Sequence, residues 1–137
     1  MCKLAGFCRL HWLASPGMKY LVLIYGNADE SWTGSGQDLQ GVRDLTTFKA
    51  ELAATGELVS AEGLTFPSDS KYVQIRGGRQ VVTDGPFGEA KEQLAGFFMI
   101  DVADDERAQQ VAGRVSAVVG DRVELRPTIV SSEDYLV

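Results

Sequence analysis

Two stretches of this chain are apolar on both faces when read as strands, and no other feature limits its fold as tightly. In "KYLVLIYG" (residues 19–26), Tyr20, Val22 and Ile24 alternate with Leu21, Leu23 and Tyr25. In "LAGFFMIDV" (94–102), Leu94, Gly96, Phe98, Ile100 and Val102 alternate with Ala95, Phe97, Met99 and Asp101. A strand with one apolar face needs one covering layer; a strand with two must be shielded on both sides.

The remaining elements say how much cover the chain brings. "DLQGVRDLTTFKAELAATG" has apolar residues at helical spacing (Val42, Leu45, Phe48, Leu52), with Asp38 as the expected cap and Gly56 as the left-handed stop. "DDERAQQVAGRVSAVVG" repeats the pattern with Ala108, Val111, Ala112, Val115 and Val118. Its acidic start, Asp104 and Asp105, suits the positive end of a helix dipole, and Gly120 stops it. Residues 57–66 read as a strand closed by Pro67, and "RVELRPTIV" as a last strand whose Pro127 belongs at an edge. "KYVQIRGGRQVVTDG" reads as a hairpin turning on Gly77-Gly78, with Val73, Ile75 and Val82 on one face and Arg76 opposite Arg79.

With the hairpin taken as an insertion, the order is β-α-β-β-α-β, a ferredoxin-like α+β arrangement in which both helices pack on one side of the sheet. Two helices leave the other apolar face bare, and a monomer rarely exposes such a patch. The expectation is a homodimer, sheet against sheet about a two-fold axis.

Composition narrows the partners. A formal charge of -6 leaves too few cations for a phosphate backbone, and the small basic spot at Arg76 and Arg79 does not reverse that, so no direct nucleic-acid ligand is expected. No run approaches the roughly 18 apolar residues of a membrane span. Residues 1–17 differ from the rest and hold Cys2, Cys8 and His11. Arg9 and His11 interrupt any signal-peptide core, and Cys2, Cys8 and His11, with no further Cys or His in the chain, are at most a partial metal site. This segment reads as an irregular extension, an upstream start or cloning remnant, ahead of one domain over residues 18–137. From Met18 on there is no cysteine, which suits the reducing cytoplasm.

The segment "VTDGPFGEAKEQLAGFF" (82–98) closely resembles the signature of the DGPF subgroup of YCII-related proteins, named for the residues that stand here as Asp84-Gly85-Pro86-Phe87. Trp32, "GELVSAEGL" and "VELRP" follow the same order, so the similarity spans Met18 to about Val130. The resemblance implies a ferredoxin-like fold paired into a dimeric α/β barrel. That superfamily includes cofactor-free oxygenases, isomerases and haem-binding proteins. Members of the subgroup are often encoded beside sigma factors of the extracytoplasmic type, which implies an association with one. YCII proteins more broadly resemble an enzyme with a His–Asp pair. No histidine occurs after His11, so that pair is absent, a proximal haem ligand is missing, and any acid–base work falls to carboxylates, Tyr or Lys.

Asp84 is the first candidate for such work. As a turn residue it would accept from backbone N–H groups; as a catalytic one it would sit at a cavity rim as general base, with Phe87 as an apolar wall. Glu62, a carboxylate within a strand, would face a cavity, solvent or a cation such as Lys91. Tyr25 and Trp32 are further candidates for ligand contact. The glycines at 34 and 36 lack the Lys-Ser/Thr ending of a phosphate loop, and no nucleophile-plus-base arrangement appears, so no cofactor is expected. The leading expectation is a homodimeric barrel protein that binds a small organic molecule between sheet and helices, accessory to a regulatory system. The competing one is a cofactor-independent isomerase, lyase or oxygenase using Asp84 with Glu62 or Tyr25.

Overall fold

A computed structural model describes residues 17–27, 36–85 and 92–129. The two-faced strands are the central pair of the sheet. Strand β1 (Met18–Asn27) is followed by helix α1 (Gly36–Thr55), strand β2 (Leu58–Gly63), a short turn of 3-10 helix (Pro67–Asp69) and the hairpin strands β3 (Lys71–Arg76) and β4 (Arg79–Asp84). Strand β5 (Glu92–Val102), helix α2 (Asp105–Val119) and strand β6 (Val123–Pro127) complete the order.

The main sheet runs β2-β5-β1-β6 with every neighbouring pair antiparallel. The protein is α+β, consistent with a ferredoxin-like fold. Strands β3 and β4 form a separate two-stranded sheet in the chain between β2 and β5. Their register opposes Val73 to Val82 and Arg76 to Arg79, and Gly77 and Gly78 take φ of 56° and 76°, the positive angles that a tight two-residue turn requires.

One parity of each strand meets the helices. Tyr20 and Val22 of β1, Phe98, Ile100 and Val102 of β5 and Ala61 of β2 are buried. Against them lie Phe48 and Leu52 of α1 and Ala108, Val111, Ala112 and Val115 of α2. This filling, apolar apart from the Tyr20 hydroxyl that donates to Asp105 Oδ1 at 2.9 Å, stabilises the fold by roughly 1.5–3 kcal/mol for each large side chain removed from water. The two helices are also tied to each other: the guanidinium of Arg114 lies 4.2 Å from the Phe48 ring centre and 3.2 Å from Glu51.

Helix ends follow local chemistry. Asp104 caps α2, its Oδ1 accepting from the Arg107 backbone N–H at 2.8 Å, and Gly120 closes it at φ 77°. Gly56 ends α1 at φ 82°. Two expectations need correction. Helix α1 begins at Gly36, so Asp38 lies within its first turn and is not the cap. Val42 is exposed, because α1 meets the sheet only along its later turns, at half-buried Leu45 and buried Phe48 and Leu52. Pro127 ends edge strand β6, where its missing N–H breaks no ladder between two neighbours.

Candidate functional site

The other parity of the same strands forms a face away from the helices' buried side chains among the described residues. Strand register lays it out in rows. Glu62, Phe97, Leu23 and Glu124 make one row from β2 across to β6. Ser60, Met99, Leu21 and Arg126 make the next. Side chains opposite one another in register share a face, so each row reads polar, apolar, apolar, polar. An apolar stripe of four half-buried side chains thus runs along β5 and β1, with polar groups on both margins.

The β6 margin is a connected network. A register shift between Ile24 and Tyr25 in the β1–β5 pairing re-aims the end of β1. There the Tyr25 hydroxyl donates to Glu124 Oε1 at 3.0 Å. Arg126 Nε donates to Glu124 Oε2 at 2.9 Å, and its Nη2 bonds the same oxygen. The hydrogen bond to Glu124, with burial and the carboxylate charge behind it, raises the Tyr25 pKa above the ordinary phenol value. Arg126, then Tyr25, hold Glu124 below the usual carboxylate range. At neutral pH Tyr25 is therefore a hydrogen-bond donor and Glu124 an anion. The β2 margin differs: Glu62 is exposed and makes no side-chain hydrogen bond or ion pair among the described residues.

Further up the face, Asp101 stands opposite Lys19 in register. Its Oδ1 is buried without a hydrogen-bond partner. The carboxylate packs against Gly17, where an added Cβ would come within 1.6 Å of that oxygen.

Asp84 lies elsewhere, at the end of β4 in the hairpin. Its Oδ1 is 3.4 Å from Lys71 Nζ, and the carboxylate side chain is 88% exposed. Such an ion pair contributes about 0–1 kcal/mol. The Gly85 amide bonds to the Ser70 carbonyl at 2.8 Å, tying the start of the Asp-Gly-Pro-Phe segment to the base of the hairpin. Trp32, Phe87, Lys91 and residues 1–16 lie outside the described residues.

Of the residues expected at a site, Tyr25 and Glu62 share the open face, on opposite sides of the apolar stripe. Asp84 belongs to the other sheet. The helix side of the main sheet is filled by apolar side chains, with no buried polar or charged group among the described residues. On the open face, Tyr25, Glu62, Glu124 and Arg126 supply the polar groups. Glu124 and Arg126 escaped the sequence reading, although the alternation in "VELRP" already put both on one face. Among the described residues no cluster of His, Cys, Asp or Glu has the makings of a metal site, and no helix is long and apolar enough to cross a membrane.

Comparison with known proteins bears on this arrangement. Residues 18–130 match the profile of the YCII-related domain, which takes in every element of both sheets and both helices. A protein of Rhizobium meliloti (strain 1021), described as uncharacterized, is 34% identical over 102 residues, covering 72% of this chain and 81% of its own length. The chain belongs to the YCII-related family.

Proposed function

We propose that the protein is a homodimeric small-molecule-binding member of this family, its two sheets closing face to face into an α/β barrel. The observation that carries the reading is the open face: an apolar stripe of Leu21, Leu23, Phe97 and Met99 with the Tyr25–Glu124–Arg126 network on one margin and Glu62 on the other. An apolar floor with a few fixed polar groups at its rim is the usual make-up of a small-molecule site. A ligand there would be a small organic molecule with a flat apolar part and at least one polar group, meeting the Tyr25 oxygen as an acceptor or a remaining N–H of Arg126 as a donor. Trp32, Phe87 and Lys91, singled out in the sequence as ligand contacts, lie outside the described residues and are proposed as further contacts for the same ligand. The DGPF resemblance supports a link to a sigma-factor-linked regulatory system, and the lack of cysteine after Met18 suits a cytoplasmic setting.

A second reading has one observation in its favour. Glu62 is exposed and has no partner within the described residues, so its carboxylate is open to a substrate, as a cofactor-independent isomerase, lyase or oxygenase needs. Asp84 would be its companion, once released from Lys71.

Native mass spectrometry of the purified protein tests the main reading. The expected result is a dimer carrying a retained small molecule, which Tyr25→Phe and Glu124→Gln each release. A monomer at micromolar concentration overturns the barrel; an empty dimer that takes up no aromatic or carboxylate compound overturns the binding role. Conversion of the retained molecule by the wild type, lost in Glu62→Gln, selects the enzymatic reading.

A further inference from the structure

The hairpin is built in a way its own chain does not explain. Val73, Ile75 and Val82 share one face and are 61%, 66% and 47% exposed. Neither β3 nor β4 pairs with a strand of the main sheet. An isolated two-stranded hairpin is marginal in water and needs a further strand or a helix packed on it. Its tip also sets Arg76 directly across from Arg79. Like charges opposed in this way repel, and no carboxylate among the described residues pairs with either; Arg76 reaches only Gln74, at 3.1 Å. In a chain of net charge -6, the tip is an isolated positive point.

The complementary surface lies on the main sheet, with which the hairpin shares no strand pairing. Among the described residues, the open sheet face offers a half-buried apolar stripe away from the helices' buried side chains, and beside it Glu62, a carboxylate with no cation. We infer that the hairpin is an arm that docks on the open-face margin of a second copy of this chain, its apolar side extending the shared interface and Arg79 of the second copy standing beside Glu62. Six residues of strand extend about 20 Å, enough to overhang a neighbouring sheet. Each ligand site is then incomplete in one chain: the second copy supplies a guanidinium opposite the Tyr25–Glu124–Arg126 margin. The inference rests on the face-to-face pairing proposed above and adds the arm, its occupant and the charge contact.

Sedimentation equilibrium of the full chain, with circular dichroism to verify folding, tests it. Arg79→Glu and Glu62→Arg should each raise the dimer dissociation constant about tenfold or more, with folding intact and the wild-type dimer loosening as salt increases. The double variant Arg79→Glu/Glu62→Arg should recover most of the lost affinity. Val73→Ser with Ile75→Ser should weaken the dimer without unfolding the monomer. A wild type that dimerises while all these variants keep its affinity overturns the arm and leaves the pairing standing. Weakening by each single change with no recovery in the double variant overturns the Arg79–Glu62 contact. A wild type that stays monomeric defeats the pairing itself, and the arm with it.

Discussion

Tyr25 and Glu124, 99 residues apart in the chain, meet across the β1–β6 ladder, the phenol donating to Oε1 at 3.0 Å. Only the antiparallel pairing of β1 with β6 brings them together, so the contact reports the sheet as well as the site. The phenol is kept protonated above its ordinary value of about 10. A raised folded value means that the stabilisation is complete below the unfolded value and fades as pH climbs through the folded one. Tyrosinate absorbance during alkaline titration should therefore show a late-ionising phenol that Tyr25→Phe removes. Glu124→Gln should shift that ionisation downward, because it deletes the neighbouring negative charge. A titration curve unchanged by both substitutions would refute the network.

Gly96 sets how closely β2 approaches β5, and so where Glu62 stands. A Cβ at this position would lie 2.8 Å from the Glu62 carbonyl oxygen and 3.3 Å from the Gly63 Cα. Both obstacles are backbone, so neither can swing aside. Gly96→Ala should cost roughly 1–3 kcal/mol and strip the edge strand from the sheet locally. Hydrogen exchange is the suitable probe: the β2 amides should lose protection while those of β1 and β6 keep theirs. Undiminished protection in β2 would mean that the strands separate freely.

Much of this architecture is legible in the residues, for a physical reason. Strand alternation and helix periodicity are local, and burial enforces them. Both faces of Leu21–Tyr25 and Ala95–Met99 are apolar, and these strands do occupy the sheet centre. Gly77-Gly78 takes the positive angles its composition demands. Where neighbours decide, the reading weakens. Val42 has the spacing of a core residue and is exposed, since packing extends only along the later turns of α1. The start of α1 falls two residues before Asp38, as helix ends depend on small differences in capping. At the site the limit is sharper. Glu62 and Tyr25 could be singled out as polar groups in apolar strands, but the partner of Tyr25 depends on which strands become neighbours. No local pattern encodes that choice. The surroundings of Asp84 depend likewise on the register of a hairpin that brings Lys71 opposite it.

Adjacent residues of β5 should behave in opposite ways if the two faces have different jobs. Ile100 is wholly buried among the helices, whereas Met99 is half-buried on the open face. Ile100→Ala should lower stability by roughly 2–5 kcal/mol at every protein concentration. Met99→Ser should barely alter unfolding of the dilute chain, yet reduce the thermal midpoint at high concentration by weakening association. Equal, concentration-independent losses for both would place Met99 in the core of the single chain and remove the case for pairing through that face.

Glu57 and Arg107 join the loop after α1 to the first turn of α2, with Nε at 2.9 Å from Oε2 and Nη2 at 2.9 Å from Oε1. The two parallel bonds and partial burial make this pair stronger than an ordinary surface bridge. Chiefly because Arg107 donates to it, and secondarily through Thr55, the Glu57 carboxyl is held below the usual range. A depressed folded value stabilises the protein above the unfolded value and ceases to do so as pH falls through the folded one. Arg107→Gln should thus cost roughly 1–2 kcal/mol near neutrality, after allowance for the solvent around the guanidinium. It should cost much less once Glu57 is protonated in both variants. Urea unfolding followed across the acid range measures this: the curves for wild type and variant should converge as pH drops below that of an ordinary carboxylate. A gap that stays constant down to the acid limit would show that the loss comes from the packing of the arginine stem, and that the charge pair contributes nothing to holding α2 on the sheet.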